Sequence, residues 1–160
     1  MTPAALAVVF VLSGSARYDV QPFPPGEQAG KMRVTLEPGS QAGHVSVRLE
    51  AMSHACVLDA SRSRDGALAF TIPAACAVDL NDPDARGHVD ARLRSGKGTV
   101  RGDRLTLELS FDVAGRVATR MERTTLNVLG AAVVVPEGWS PEVPIQGTVT
   151  SKGTGVRQRP

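Results

Sequence analysis

The sequence has few aromatic residues and no catalytic or cofactor motif. One Trp, one Tyr and four Phe are too few for the exposed aromatic surfaces that bind sugars or single-stranded nucleic acid. The patterns HExxH, GxSxG, GxxxxGK[ST] and GxGxxG are absent, so no zinc helix, nucleophile elbow or phosphate loop is predicted. We therefore expect a protein that is not an enzyme and needs no cofactor, and we rank an enzyme with a site assembled only in space last.

Lysine is also scarce, and the numbers of basic and acidic residues are nearly equal. Of the 18 basic residues only Lys31, Lys97 and Lys152 are lysines, and the formal net charge is +2. So small a charge does not predict nonspecific nucleic-acid binding, and no nucleic-acid partner is expected. No long segment shows the apolar spacing of a helix.

The two cysteines, Cys56 and Cys76, have neither CxxC nor metal-ligand spacing. Asp65-Gly66 between them is a turn signal, and a hairpin through that turn would bring residue 56 near the middle seventies. We predict a disulfide, which is typical of exported proteins. The alternative is a pair of buried free thiols.

The clearest strand signal lies between residues 86 and 113. Leu105, Leu107, Leu109, Phe111 and Val113 alternate with polar residues, the period of a strand with one buried face. Leu107 and Leu109 are therefore predicted to be core residues, and Glu108 to face the other way. Gly102-Asp103 fits a two-residue type II′ hairpin turn. To keep Leu93 on the buried face, one extra residue is needed, and we predict a β-bulge at residues 95–98 rather than a separate turn there.

Similar alternation recurs along the chain and predicts the fold class. Residues 116–129 are predicted to form one strand and residues 131–135 another, short and apolar. About nine or ten strands spaced by turns indicate an all-β, antiparallel β-sandwich or small β-barrel. We expect a signal-like segment at residues 1–16, an extended lead-in at 17–30, a single β domain at 31–150 and a flexible tail at 151–160.

Two loops contain candidate binding residues. Asp79, Asn81, Asp82 and Asp84 offer oxygen ligands that could hold Ca²⁺. Asp84 stands where the EF-hand pattern requires Gly, however, and the same residues are ordinary turn formers. The only Trp, Trp139, lies in a predicted loop at residues 136–144 and is a candidate for contact with a partner.

Residues 4–12, AALAVVFVL, form an unbroken apolar run followed by Ser13-Gly14-Ser15-Ala16. The run is too short for a helix that spans a bilayer. It resembles the hydrophobic region and cleavage site of an export signal, although no Lys or Arg precedes it. The alternative is a buried first strand.

Leu12-Ser13-Gly14 also resembles the lipobox of bacterial lipoproteins, where a Cys follows and receives the lipid. Ser15 occupies that position here, and a serine cannot form the thioether. The resemblance covers these residues alone. It implies an exported protein, periplasmic or associated with the outer membrane of a Gram-negative bacterium, without a lipid anchor at Ser15.

Two functional hypotheses follow from these patterns. The first is a non-catalytic exported domain, a structural or protein-binding component of a bacterial cell envelope with a protein partner. The alternative is a small barrel that carries an apolar ligand such as a lipid, in an interior lined by Val, Leu and Phe.

Overall fold

Antiparallel strands form nearly the whole molecule. The computed structural model describes residues 6–51 and 54–159, and this part of the chain contains no helix. It therefore contains no helix long and apolar enough to cross a membrane. The twelve strands are β1 (Val8–Gln21), β2 (Gly26–Pro38), β3 (His44–Ala51), β4 (His54–Arg62), β5 (Ala67–Phe70), β6 (Ala74–Asn81), β7 (Ala85–Arg101), β8 (Arg104–Met121), β9 (Thr124–Val128), β10 (Ala131–Val135), β11 (Gly138–Trp139) and β12 (Val143–Arg157).

Ten of these strands form one sheet whose hydrogen bonding closes into a ring. The order is β11-β8-β12-β1-β2-β3-β4-β5-β7-β6, and β8 also pairs with β7. The ring therefore runs from β8 through β12, β1, β2, β3, β4, β5 and β7 back to β8, with β6 and β11 attached to it. β5 is its shortest member, with four residues. The predicted all-β, antiparallel, sandwich-like or barrel-like class is confirmed, and β9 with β10 forms a separate hairpin.

The long β7–β8 hairpin has the predicted turn and phase. Val100 pairs with Leu105, and Gly102 takes a φ of +60°, as the first position of a type II′ turn requires. Leu93 lies opposite Phe111 and Ser95 opposite Ser110, so Arg94 is the extra residue. The bulge is confirmed, immediately before the four predicted residues.

The interior of the ring is filled mainly by aliphatic side chains, with Phe10 fully buried and Phe70 and Phe111 packed against them. None of the buried side chains in the described residues is polar or charged. Leu107 and Leu109 are 2% and 1% exposed, as predicted, and Glu108 lies on the outer face. The largest side chains that are fully buried are Phe10, Leu12, Leu58, Leu93, Leu105, Leu107, Leu109, Val34 and Val47.

A second apolar cluster continues the interior beyond the closed part of the ring. Val20, Val113, Val117 and Ile145 form it, and the half-buried Phe111 packs against both clusters. The inner face is thus apolar along the whole length of β8.

One layer of the interior combines two leucines with a row of glycines. Leu107 lies between Gly98 and Gly153, Leu68 lies on the other side of Gly98, and Gly14 follows Gly153 in the same row. A Cβ at Gly98 would lie 2.6 Å from Leu107 Cδ2, and one at Gly153 would lie 3.2 Å from Leu12 Cβ. A Cβ at either position would therefore press on a leucine, so glycine suits the alternation of large and small residues that a narrow ring needs.

Both ends of the described chain lie in the ring, which corrects the predicted boundaries. β1 begins at Val8 and has β12 and β2 as neighbours, because Phe10 and Leu12, each 1% exposed, anchor it in the core. Apart from a turn at residues 22–25, the predicted lead-in is strand. The predicted flexible tail is β12 as far as Arg157, held by ladders on both edges. Residues 1–5 of the signal-like segment and residue 160 of the tail lie outside the described residues.

Candidate functional site

The two cysteines join the ring to β6, the strand attached to β7. Cys56 in β4 is bonded to Cys76 in β6, 20 residues along the chain, with their Cα atoms 5.6 Å apart. The predicted pairing is confirmed. Both side chains pack against the main core, and Cys76 is buried, so the bond is placed to stabilise the fold.

Two of the four residues of the candidate calcium loop contact histidines. Asp79 and Asn81 lie in β6, and residues 82–84 form the turn to β7, where the Asp82 N–H donates to the Ala85 carbonyl at 2.9 Å. The Asp79 carboxylate contacts His88, and Asp82 Oδ2 lies 3.4 Å from His54 Nε2. Within residues 6–51 and 54–159, no three His, Cys, Asp or Glu side chains are grouped as ligands. The turn-forming interpretation of this loop is the one that fits the structure.

His88 lies on the outer face of β7 between two carboxylates. Its Nδ1 is 2.7 Å from Asp79 Oδ1, and its Nε2 is 3.0 Å from Asp90 Oδ1. The hydrogen bond to Asp79, and then that to Asp90, raises the pKa of His88 above its ordinary 6.5. The group is exposed, so this arrangement is an ion-pair cluster on the surface of β6 and β7.

Trp139 is part of a short strand rather than an open loop. It pairs with Arg120 at the end of β8. The Arg86 guanidinium lies over its ring, 4.3 Å from the centroid, a cation–π contact. Since its ring is half-buried and stacked, Trp139 offers a partner less surface than the sequence predicts.

Ser15 lies in the middle of β1, between Lys152 of β12 and Ala29 of β2. It lines a shallow groove of about 470 Å³ on the outside of the ring. Glu108 lies in the same groove, with its carboxylate 3.5 Å from Lys97 Nζ and 3.8 Å from Lys152 Nζ. The carboxylate thus neutralises much of the charge that would attract an anion to the groove.

The side chains that were expected to line a cavity for an apolar ligand are packed against one another. Phe10, Leu12 and Leu109 are each 1% exposed and belong to one contiguous cluster. An eight-stranded ring leaves room for filling side chains or for one small ligand. In this ring the side chains fill it.

The β9–β10 hairpin is the surface that the rest of the fold does not explain. It forms a sheet of its own, with Val133 opposite Leu126 and Ala131 opposite Val128. No residue from 124 to 135 is charged. Val133 and Val134 are 45% and 47% exposed, and neighbours along a strand point to opposite faces. Both faces of the hairpin therefore present apolar side chains to solvent.

The turn of this hairpin holds a leucine in an unfavourable conformation. Leu129 and Gly130 have φ values of +51° and +84°, the pattern of a type I′ turn. The Gly130 N–H donates to Asn127 Oδ1 at 3.1 Å. Leu129 is fully exposed, and non-glycine residues rarely adopt this region because Cβ crowds the following carbonyl oxygen. An exposed leucine here costs conformational energy and gains no packing, which is the kind of outlier that indicates function.

Sequence analysis placed the two strands of the hairpin but missed the turn between them. A type I′ turn is recognised by Asn-Gly or Asp-Gly, and Leu-Gly does not match. The remaining sequence signal for a turn was Gly130, which lies between two segments of alternating apolar residues. Predicting residues 116–129 as one strand also hid the break at 122–123 where β8 gives way to β9.

Comparison with protein-family models, curated proteins and solved structures finds no match to the chain. Its surfaces are therefore the basis on which a function can be argued.

Proposed function

We propose that this protein is a non-catalytic, exported β domain that binds another protein in a bacterial cell envelope, and that the β9–β10 hairpin is the contact. The observation that carries the proposal is the exposed apolar surface of the hairpin, with Leu129 at its tip. Outside the hairpin, exposed apolar side chains such as Val57 and Val156 lie on separate strands of the ring. The outer face of the ring also carries cross-strand ion pairs such as Lys97–Glu108.

Exposed apolar surface on a projecting hairpin is unfavourable unless something covers it. Burial of apolar area contributes roughly 25 cal/mol per Å², and contiguous exposed apolar patches mark interaction sites. The hairpin is joined to no other sheet in the described residues, so the ring does not provide that cover. A bound partner protein would provide that cover.

The non-catalytic part of the proposal is supported by the composition of the interior. Catalytic groups usually have pKa values shifted by burial and by neighbouring charges. The buried side chains of the described residues include no polar or charged group. The shifted pKa of His88 arises on the exposed outer face, from two carboxylates.

Two features support export. The Cys56–Cys76 pair is of a kind that persists in oxidising compartments such as the periplasm. The apolar run at residues 4–12 resembles an export signal. Because Phe10 and Leu12 are core residues, the proposal includes retention of β1 in the mature protein.

Site-specific photocrosslinking tests the contact. A photoreactive amino acid at Leu129, in cells that make the full chain, should give a covalent adduct with a polypeptide. The matched control is Val57, which is 52% exposed on β4 and lies on the ring. Adducts of equal yield from both positions, or none from Leu129, would overturn the proposal.

A further inference from the structure

We infer that the partner of the hairpin is a second copy of this chain, and that two β10 strands pair edge to edge into a four-stranded sheet in the order β9-β10-β10-β9. This inference rests on the proposed function, since it names the protein that the hairpin binds.

The first step is that β10 has a free edge. In the described residues β10 pairs with β9 alone. The two residues that flank a two-residue turn, here Val128 and Ala131, exchange backbone hydrogen bonds, and the pattern then alternates along the strand. Ala131 and Val133 therefore direct their backbone groups to β9, whereas Ala132 and Val134 direct theirs outward. A row of unpaired N–H and C=O groups is a template for another strand.

The second step is that the free edge of β10 lacks the charges found on the free edges of β6 and β2. β6 carries Asp79. The outer stretch of β2 carries Glu27 and Lys31. Charges of this kind hinder edge pairing. β10 is AAVVV, without charge, proline or glycine, and valine suits a pleated sheet.

The third step is that β10 is complementary to itself. If two copies run antiparallel with Val133 on the two-fold axis, Ala132 of one copy lies opposite Val134 of the other. Both residues have outward backbone groups, so they form hydrogen-bonded pairs, and Val133 faces its own copy in a non-hydrogen-bonded pair. Neither strand carries a charge that would repel the other. The register also places Leu129 opposite residue 137 of the other copy, at the base of its hairpin.

A two-fold contact of this kind is closed. Each copy uses the same edge, and that edge is consumed in the pairing. β9 faces outward on both sides of the four-stranded sheet, and it contains Thr124, Thr125 and Asn127, which are more polar than the residues of β10. The expected assembly is therefore a dimer rather than a filament.

Cysteine crosslinking of the full chain tests the register. In a dimer of the Val133→Cys variant, the Cα atoms of the two introduced cysteines should lie about 4.5 Å apart. A disulfide can span that distance. Incubation with oxidised glutathione should then give a covalent dimer in high yield. The Val57→Cys variant has a cysteine of similar exposure on the ring and should remain monomeric under the same conditions. Equal crosslinking of both variants would indicate random collision and would overturn the inference.

A proline on the free edge of β10 gives a second test, in which the β9–β10 hairpin should remain folded. Val134→Pro removes an outward N–H and leaves the hydrogen bonds from β10 to β9 in place, since proline is tolerated where the N–H faces solvent. Sedimentation equilibrium should show the dissociation constant of the dimer raised at least tenfold, with an unchanged circular dichroism spectrum. A wild-type chain that sediments as a monomer and a Val133→Cys variant that does not crosslink would overturn the inference.

The photocrosslink at Leu129 distinguishes failure of the dimer inference from failure of the proposed function. An adduct with a different polypeptide would leave the proposed function standing and remove the second copy. An adduct with lipid instead would assign the hairpin to a bilayer surface and overturn both. An adduct between two copies of the chain supports both.

Discussion

The Cα atoms of Cys56 and Cys76 lie 5.6 Å apart in two strands that share no hydrogen-bonded ladder in the described structure. We expect the mass of the non-reduced protein to be lower by two hydrogens than that of the reduced chain. A bond closing a loop of this size contributes roughly 3 kcal/mol in the chain-entropy model, so the Cys56→Ala/Cys76→Ala variant should lose about that much in urea unfolding. Alkylation of both thiols in the unfolded, unreduced protein would show that the bond is absent.

Truncations along β8 should separate its two faces. Leu107→Ala and Leu109→Ala each remove a side chain that is at most 2% exposed and should cost roughly 2–5 kcal/mol. Glu108→Ala lies between them on the outer face and should change the free energy of unfolding by about 0.5 kcal/mol or less. Urea melts of the three variants provide the measurement. Equal losses at Leu107 and Glu108 would mean that the outer face is covered.

Leu129→Asn should improve stability and weaken binding at once. Asn-Gly is the preferred sequence of a type I′ turn, and Leu129 has a φ of +51°, so the variant should be more stable by up to about 1 kcal/mol. The same change removes the apolar tip and should lower the yield of partner adducts from a photoreactive group at Val133. Thermal melts measure the change in stability, and crosslinking measures the change in binding. A variant that is less stable would show that the leucine contributes to folding.

The raised pKa of His88 should depend on both Asp79 and Asp90. Hydrogen bonds between the imidazole and the two carboxylates, first that to Asp79, raise the pKa of His88 above 6.5, so Asp79→Asn and Asp90→Asn should each lower that pKa. Because the folded pKa is the higher one, the stabilisation is complete below the unfolded value of about 6.5. It is lost as the pH rises through the folded pKa. Nuclear magnetic resonance titration of the imidazole protons measures the pKa of His88 in the wild-type chain and in the two variants, and an unchanged pKa in either variant would contradict the assignment.

Removal of residues 1–16 should abolish the folded state. The truncation deletes Phe10 and Leu12, each 1% exposed, and leaves β12 and β2 without their shared neighbour over that length. Core losses of about 3–5 kcal/mol for a phenylalanine and 2–5 for a leucine are comparable to the whole stability of a domain, about 5–15 kcal/mol. Circular dichroism on heating should show no cooperative transition. In a periplasmic extract, the intact mass should include residues 8–16. A cooperative transition in the truncated chain would show that β1 is dispensable and free to be cleaved.

Sequence patterns predicted those strands whose inward positions are occupied by large apolar residues. Leu105, Leu107 and Leu109 gave both the strand and its buried face. The bulge was predicted from the alternation of apolar residues alone, since Leu93 faces the interior only if one extra residue lies between it and the turn.

The end of β12 was predicted to be a flexible tail because its inward positions there include Gly153 and Gly155, which carry no hydrophobic signal. A Cβ at Gly153 would meet Leu12, a side chain 141 positions earlier in the sequence, so the requirement is visible only after folding. Residues 4–12 were left open between an export signal and a buried first strand for a related reason, since an apolar run followed by small residues is common to both. The turn of the β9–β10 hairpin was missed because Leu-Gly does not match the Asn-Gly or Asp-Gly sequence by which such turns are recognised.

The position of the disulfide has a consequence for how the ring opens. Ala67–Phe70 is the shortest segment of the circumference, with three paired residues on each side, so it is the seam at which the wall is most easily breached. Cys56 lies on the strand before this seam, and Cys76 lies on β6, which is laddered to β7 on the other side of the seam. If β5 detaches, the covalent bond and the β6–β7 ladder still span the gap. The wall can therefore be breached at this seam without unrolling.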